Sequence, residues 1–214
     1  MQPFTNIFRR HLYFTFSIVV ICIVAICYGN LVVMPVTQPH PFWLNVFFIN
    51  YTFMGDAWFV LAFSLYCIFY KKQKKTGIQL CIGFLFAEML VQVIKNMLFN
   101  GQLMLFVEQG QYLFITNESD MVNAHSFPSG HTAMAFLQAM VLVTGTKNKM
   151  KQSLLLMAAI LLAISRMYLA QHTLLEIAAG MFIGCLAGSL AYILLRAFER
   201  NGYLQFKSLY FRSG

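Results

Sequence analysis

Long apolar segments separated by short polar ones make up most of this chain of 214 residues. A helix needs about 20 apolar residues to cross a bilayer, and six segments come near that length. The pattern therefore predicts an all-α polytopic membrane protein, a six-transmembrane-helix bundle that forms one domain over residues 1–214. The predicted spans are 12–34, 46–70, 77–98, 130–146, 152–170 and 173–195.

The composition indicates a membrane protein and not a soluble protein with a large core. Hydrophobic residues make up 59% of the chain and charged residues 10%, whereas a soluble domain is about half apolar and about a quarter charged. The segment 12–34 is too long for the apolar core of a signal peptide and lacks a clean cleavage site, so we interpret it as an anchor. The five cysteines are scattered in apolar spans and are interpreted as small hydrophobic residues, not metal ligands.

The cations are distributed asymmetrically along the six predicted spans. Of the 15 Lys and Arg residues, 13 fall at one face of the bundle, which the positive-inside rule makes cytoplasmic. Both termini are then cytoplasmic, and the net charge of +8 reflects topology, not a nucleic-acid partner. These cations are Arg9, Arg10, Lys71, Lys72, Lys74, Lys75, Lys147, Lys149, Lys151, Arg196, Arg200, Lys207 and Arg212.

The remaining two cations, Lys95 and Arg166, fall at the opposite, outer face. Charges at a membrane edge are functional candidates, with snorkelling or structural pairing as the alternative. The same topology brings further polar residues to that face from four separate segments. This outer-face cluster comprises Lys95, Ser129, Gly130, His131, Arg166, His172 and Glu176.

The outer-face cluster has the groups that bind a highly charged oxyanion. Ser129 is the predicted N-cap, and Gly130 lets a ligand approach the start of the following helix, where the dipole favours an anion. Arg166 offers a planar fork for phosphate oxygens, and Lys95 a point charge. The alternative for the PSGH segment alone is a capped helix with an unrelated histidine.

His172 and Glu176 are four residues apart, so they share one helix face. A carboxylate on one imidazole nitrogen leaves the other free as a nucleophile; the alternative is a structural ion pair. Arg166 and His172 can meet only if the chain turns between them, which predicts a short outer turn over 168–171. Glycines at 180, 184 and 188 predict close helix packing beneath the site.

Three segments resemble the type 2 phosphatidic acid phosphatase family, whose signatures are K-x6-RP, PSGH and SR-x5-H-x3-D. They are KNMLFNGQ (95–102), PSGH (128–131) and SRMYLAQHTLLE (165–176). The second signature matches in full, and the third matches at Ser165, Arg166 and His172. Gln102 stands where the first signature has arginine, and Glu176 where the third has aspartate.

The resemblance implies a role for each matching residue. His172 is the expected nucleophile, which forms a phosphohistidine, and His131 the general acid, while Glu176 orients His172. The expected phosphate-binding residues are Lys95, Gln102, Ser129, Gly130 and Arg166. No metal and no cofactor are implied. Asp56, near the outer end of the second span, borders the site or pairs with Arg166, and we do not assign it a catalytic role.

The sequence thus predicts an integral-membrane, metal-independent lipid phosphatase of the cell inner membrane, with its site facing the periplasm. The expected substrate is a lipid phosphate monoester or diphosphate in the bilayer, with lipid A or undecaprenyl diphosphate favoured by analogy with the family. One alternative is a phosphotransferase that passes the phosphoryl group to another acceptor. A second is a non-catalytic lipid-phosphate binding protein, which the uncharged Gln102 favours. The oligomeric state stays open.

Overall fold

The computed structural model describes residues 41–98, 127–169 and 171–201. These residues form six α-helices and no strand, which confirms the all-α prediction for this part of the chain. A 3₁₀ turn, Phe53–Gly55, joins α1 to α2, and a π-helical turn, Ile94–Leu98, extends α3. The helices are α1 (Phe42–Thr52), α2 (Ala57–Phe69), α3 (Lys74–Val93), α4 (Gly130–Gly145), α5 (Lys149–Tyr168) and α6 (Leu174–Arg200).

Helix α4 is the buried centre of the fold and packs against α6. Three glycines of α6 face it, and a Cβ added to Gly184 would lie 2.2 Å from the Ala133 carbonyl oxygen. A Cβ on Gly180 would lie 2.5 Å from the Ser129 carbonyl oxygen, and one on Gly188 would lie 3.0 Å from Met140 Cβ. Small residues let the two backbones approach this closely, so the predicted glycine packing is confirmed.

Polar contacts join α2 to α3 and α5 to α1. Ser64 Oγ of α2 donates to the Gly77 carbonyl oxygen of α3 at 2.6 Å. On the other side, the Tyr168 hydroxyl of α5 donates to Asn45 Oδ1 of α1 at 2.5 Å, and the rings of Tyr168 and Phe48 lie 4.5 Å apart. Such contacts specify which helix faces are neighbours inside an apolar bundle.

Three described helices are long and apolar enough to cross a membrane by themselves: Lys74–Met97, Lys149–Tyr168 and Leu174–Arg200. A fourth candidate is the pair Phe42–Gly55 and Ala57–Phe69, which is bent by 61°. The predicted span 46–70 is therefore not one straight helix. Helix α4 has 16 residues, about 24 Å at 1.5 Å per residue, and the predicted span 12–34 lies outside the described residues.

The break in the bent pair has a local cause. Asp56 is extended (φ −71°, ψ 145°), so the helical hydrogen-bond pattern stops there and restarts with Val60 N–H donating to the Asp56 carbonyl oxygen at 3.1 Å. A Cβ on Gly55 would lie 2.7 Å from the His131 carbonyl oxygen, so the backbone at the break packs closely against the start of α4. Gln138 Nε2 of α4 donates to the Met54 carbonyl oxygen at 2.8 Å and so pairs one backbone group freed by the break.

The turn that the sequence predicts between Arg166 and His172 is confirmed. Helix α5 ends at Tyr168, and the Gln171 N–H donates to the Arg166 carbonyl oxygen at 3.0 Å. At the other end of the bundle, Lys75 at the start of α3 pairs with Glu199 near the end of α6. The basic ends of α3 and α6 therefore lie together, away from the turn.

Candidate active site

The PSGH segment is fixed to the first turn of α6 by a backbone hydrogen bond. The Ser129 N–H donates to the Glu176 carbonyl oxygen at 3.1 Å. The Ser129 side chain is the N-cap of α4, since its Oγ accepts from the Thr132 N–H at 3.4 Å. Among the described atoms, a Cβ added to Gly130 would meet only Val91 Cγ1, at 3.8 Å. The helix start is therefore firmly held yet open to a close approach at Gly130.

His172 and Glu176 form a buried pair at the start of α6. His172 Nδ1 lies 3.2 Å from Glu176 Oε2, and both side chains are 9% exposed. The same oxygen accepts from the Thr173 N–H at 2.8 Å, while Thr173 Oγ1 accepts from the Glu176 N–H at 3.2 Å, which completes a capping box. Glu176 thus caps the helix and holds the imidazole with one oxygen.

The surroundings of His172 favour its neutral form. Burial lowers the pKa of His172, and the hydrogen bond to Glu176 opposes this shift only in part. With Nδ1 engaged by Glu176, Nε2 is the ring nitrogen that remains for a substrate. A neutral imidazole whose orientation is fixed by a carboxylate is the arrangement that nucleophilic catalysis requires.

Arg166 has a buried guanidinium whose N–H donors are only partly used. Its Nη1 donates to Thr52 Oγ1 at the end of α1, at 2.9 Å, and the residue is 7% exposed. Within the described part of the chain, the buried Arg166 Nε has no hydrogen-bond partner. A buried unpaired donor is costly, so the guanidinium is suited to an anionic ligand that completes its bonding.

Lys95 lies on the π-helical turn that extends α3. It interacts electrostatically with Arg166 and Glu176, and His131 interacts in the same way with Arg166, His172 and Lys95. The structure therefore brings together the predicted residues that it describes, from the ends of α3 and α5 and the starts of α4 and α6. The predicted phosphate-binding residue Gln102 lies outside the described residues.

Two contacts of the site, both from the bent pair, were not predicted from the sequence. His131 Nε2 lies 2.9 Å from Asp56 Oδ1, and the Arg166 contact with Thr52 comes from the same short region of the chain. Asp56 thus borders the site, as expected, but its bonded partner is His131. The one signal in the sequence was an acidic residue at the outer end of an apolar span, which is uncommon.

The described side chains surround one region with groups that bind an anion. Two cations, two histidines and the first turn of a helix surround the same region, and each histidine already has a carboxylate partner. In the described ranges, no three His, Cys, Asp or Glu side chains are grouped as metal ligands would be. The arrangement can hold a phosphate, attack it through an imidazole nitrogen and supply a proton.

The family model of the PAP2 superfamily matches residues 14–200. The chain belongs to the PAP2 superfamily. This match confirms the resemblance to type 2 phosphatidic acid phosphatases that the three signatures predict. Together with the helices described above, it makes this PAP2 protein a multi-pass membrane protein.

A curated relative and two solved structures resemble this PAP2 protein. An undecaprenyl-diphosphatase of Sulfolobus acidocaldarius is 29% identical over 141 residues, which are 66% of this chain and 64% of that relative's length. The crystal structure of Aquifex aeolicus LpxE gives a TM-score of 0.59 at 23% identity, over 74% of this chain and 90% of that one.

The second solved structure is the first transmembrane PAP2 type phosphatidylglycerolphosphate phosphatase from Bacillus subtilis. It gives a TM-score of 0.56 at 19% identity and covers 97% of this chain and 100% of that one. At these identities the two structures show a shared fold. The curated relative is matched over less than two thirds of its own length.

Proposed function

We propose that this PAP2 protein is an integral-membrane lipid phosphatase that works through a phosphohistidine intermediate. The observation that carries the proposal is the buried His172–Glu176 pair beside Arg166, whose Nε has no partner within the described residues. The pair supplies an oriented nucleophile, and the guanidinium supplies donors for the oxygens of a phosphate.

The proposed first step transfers the phosphoryl group to the enzyme. His172 Nε2 attacks phosphorus, the bond from phosphorus to the leaving oxygen breaks, and that oxygen takes its electron pair and a proton from His131. Arg166, Lys95 and the backbone at Ser129 and Gly130 hold the other phosphate oxygens as charge builds up on them. The dephosphorylated lipid, or lipid monophosphate from a diphosphate, then leaves.

The proposed second step releases inorganic phosphate. His131 is now neutral and takes a proton from a water molecule. The oxygen of that water attacks the phosphorus of the phosphohistidine. The P–N bond breaks, and its electron pair returns to His172 Nε2. Both histidines end in their starting protonation states, so the cycle balances without a metal ion or cofactor.

Charge placement supports an outward-facing site. The paired residues Lys75 and Glu199 belong to the basic end of the bundle, and the His172 turn belongs to the opposite end. The positive-inside rule then orients the site to the periplasmic face of the cell inner membrane. A lipid headgroup can reach that level while its chains stay in the bilayer.

The proposed substrates are lipid phosphates, with lipid A and undecaprenyl diphosphate first. The undecaprenyl-diphosphatase relative supports the second of these, and the Bacillus subtilis structure adds phosphatidylglycerol phosphate as a class to test. Gln102 supplies no positive charge where the family has arginine, so we expect it to bind one phosphate oxygen through neutral hydrogen bonds only.

The test is a panel of lipids assayed for inorganic phosphate in detergent. The panel contains phosphatidate, phosphatidylglycerol phosphate, undecaprenyl diphosphate and lipid A, and wild type is compared with His172→Ala. We expect release from at least one lipid by wild type and none by the variant, with both proteins folded. Equal release by both would remove His172 as nucleophile. Transfer of phosphate to an added lipid or sugar alcohol would indicate a phosphotransferase, and binding without release a binding protein.

A further inference from the structure

We propose that Asp56 is a positioning residue for His131, which places the break of the bent helix pair in the machinery of the site. The inference rests on the proposed phosphatase activity. Its central observation is the 2.9 Å contact between Asp56 Oδ1 and His131 Nε2. Asp56 belongs to none of the three family signatures, and it reaches the site from a helix pair that contributes no signature residue.

The Asp56 side chain does not cap the helix that begins after it. Asp56 occupies the N-cap position of α2, and aspartate there commonly accepts a bond from a backbone N–H of the first turn. Among the described residues, Asp56 makes no such capping bond. Its carboxylate points instead to an imidazole 75 residues further along the chain, which indicates a role other than helix stabilisation.

The backbone around Asp56 is built to keep this contact. Gly55 lies so close to α4 that an added Cβ would be 2.7 Å from the His131 carbonyl oxygen and 3.1 Å from His131 Cβ. Gln138, two turns further along α4, bonds the Met54 carbonyl oxygen at 2.8 Å. The two residues before Asp56 are therefore both held against α4.

The charges around His131 explain why a carboxylate is useful there. Burial opposes a positive charge on His131 most strongly, and Arg166 from α5, His172 from the turn before α6 and Lys95 from the turn after α3 add to this. Glu176 is already bonded to His172 and the Thr173 N–H. Asp56 is thus the carboxylate in direct contact with His131, where it favours the protonated ring and fixes its orientation.

The two histidines are then held by opposite ring nitrogens. Glu176 contacts Nδ1 of His172, and Asp56 contacts Nε2 of His131. Nε2 of His172 remains for attack on phosphorus, and Nδ1 of His131 remains to give a proton to the leaving oxygen. Because each carboxylate fixes one ring, attack and proton donation come from defined positions.

If Asp56 supports the general acid, its loss should slow substrates to different degrees, according to their leaving group. An alcohol leaving from a phosphate monoester needs a proton in the transition state, whereas an aryl oxide or a phosphate group leaves more easily without one. Weakening the acid therefore slows a lipid monoester more than an aryl phosphate such as p-nitrophenyl phosphate. A purely structural role for Asp56 would slow both substrates to the same degree.

The experiment compares Asp56→Asn, Asp56→Glu and wild type on a lipid monoester and on p-nitrophenyl phosphate. Glu199→Gln, at the far end of the bundle, is the matched control. General acid catalysis contributes about 10²–10⁴-fold, so we expect Asp56→Asn to lower kcat on the monoester at least about 10-fold, with KM little changed. We expect a smaller loss on p-nitrophenyl phosphate and partial recovery in Asp56→Glu. The alkaline limb of the pH profile should move to lower pH in Asp56→Asn.

A double variant provides the decisive control. If Asp56 acts through His131, Asp56→Asn should cause little further loss in a His131→Ala background. Full additivity would overturn the proposal, and so would equal losses on both substrates, an unchanged pH profile, or failure of both Asp56 variants to fold. If wild type itself releases no phosphate, the proposed function fails; if wild type is active and Asp56→Asn matches it, only this inference fails.

Discussion

The main-chain N–H of Ser129 donates to the main-chain carbonyl of Glu176 across 3.1 Å. This bond joins the proposed phosphate-binding loop to the helix turn that orients the proposed nucleophile. Because both partners are backbone groups, neither side chain is needed for the connection. Side-chain substitutions at the site can therefore test chemistry without breaking this link.

Glu176→Gln separates the two tasks of Glu176. The amide oxygen can still accept from the Thr173 N–H, but the carboxylate that stabilises and orients His172 is lost. Loss of the comparable carboxylate in a serine protease triad costs about 10⁴-fold in kcat, and we expect a loss of at least about 10²-fold here. Steady-state kinetics on the preferred lipid measures it.

The matched variant for this prediction is Thr173→Ala. It removes the N-cap side chain of α6 but keeps the Thr173 N–H, so it should cost about 1 kcal/mol of stability and retain most activity. If Glu176→Gln kept wild-type kcat, Glu176 would be a helix cap only.

Gly184→Ala tests the close packing of α6 on α4. The added Cβ would lie 2.2 Å from the Ala133 carbonyl oxygen and 2.9 Å from the Leu137 N–H nitrogen, so the helices must separate. Overpacking of this kind costs about 1–3 kcal/mol, and we expect a lower Tm in detergent. Gly145→Ala is the control, since no described atom lies within 4 Å of its added Cβ. Equal Tm values for the two variants would contradict the packing account.

The pH dependence follows from the lowered pKa of His172. The proposed nucleophile is the neutral ring, and an unperturbed histidine titrates near about 6.5. The acidic limb of kcat/KM should therefore have its midpoint below about 6.5. An acidic limb centred above that pH would contradict the assignment to His172.

The lowered pKa of His172 also predicts how the stability of the fold changes with pH. The pKa of His172 is lower in the folded protein than in the unfolded one, so folding favours the neutral ring. The stability that His172 contributes is therefore fully present at pH values above its pKa in the unfolded protein. It is lost as the pH falls through its lower pKa in the folded protein. Thermal unfolding at a series of pH values measures this, with His172→Ala as the variant that should lose that part of the dependence.

Chelation should leave activity intact. The proposed mechanism stabilises charge with Lys95 and Arg166 and generates its nucleophile from His172, and no step requires a divalent ion. Phosphate release measured with and without EDTA checks this. Activity that is lost in EDTA and restored by one added divalent metal would require a different mechanism.

The proposed orientation can be tested by cysteine accessibility. In a background without the five native cysteines, Gly110→Cys should react with an impermeant reagent from outside intact cells. Gln73→Cys, in the basic turn between α2 and α3, should react only after the membrane is opened. The reverse pattern would place the site in the cytoplasm.

Local patterns predicted much of the site, because its signature residues lie at helix ends that their own sequence specifies. Ser129 caps α4 as predicted, and the turn after Tyr168 follows from the spacing of Arg166 and His172, whereas the capping box of Thr173 and Glu176 was not predicted. The contacts made by Thr52 and Asp56 were not predictable in this way. They depend on a 61° bend that arises where Gly55 meets α4, whereas the hydropathy pattern shows only an apolar run interrupted by Asp56 there.

The broken span also constrains the order in which the chain can assemble. A helix within lipid must satisfy its own backbone groups, and a break exposes some of them. The Met54 carbonyl oxygen finds its partner in Gln138, which is synthesised 84 residues later. We therefore expect the segment 42–69 to enter the bilayer as a straighter helix and to bend only when α4 arrives, so that Asp56 can reach His131 only after α4 has been inserted.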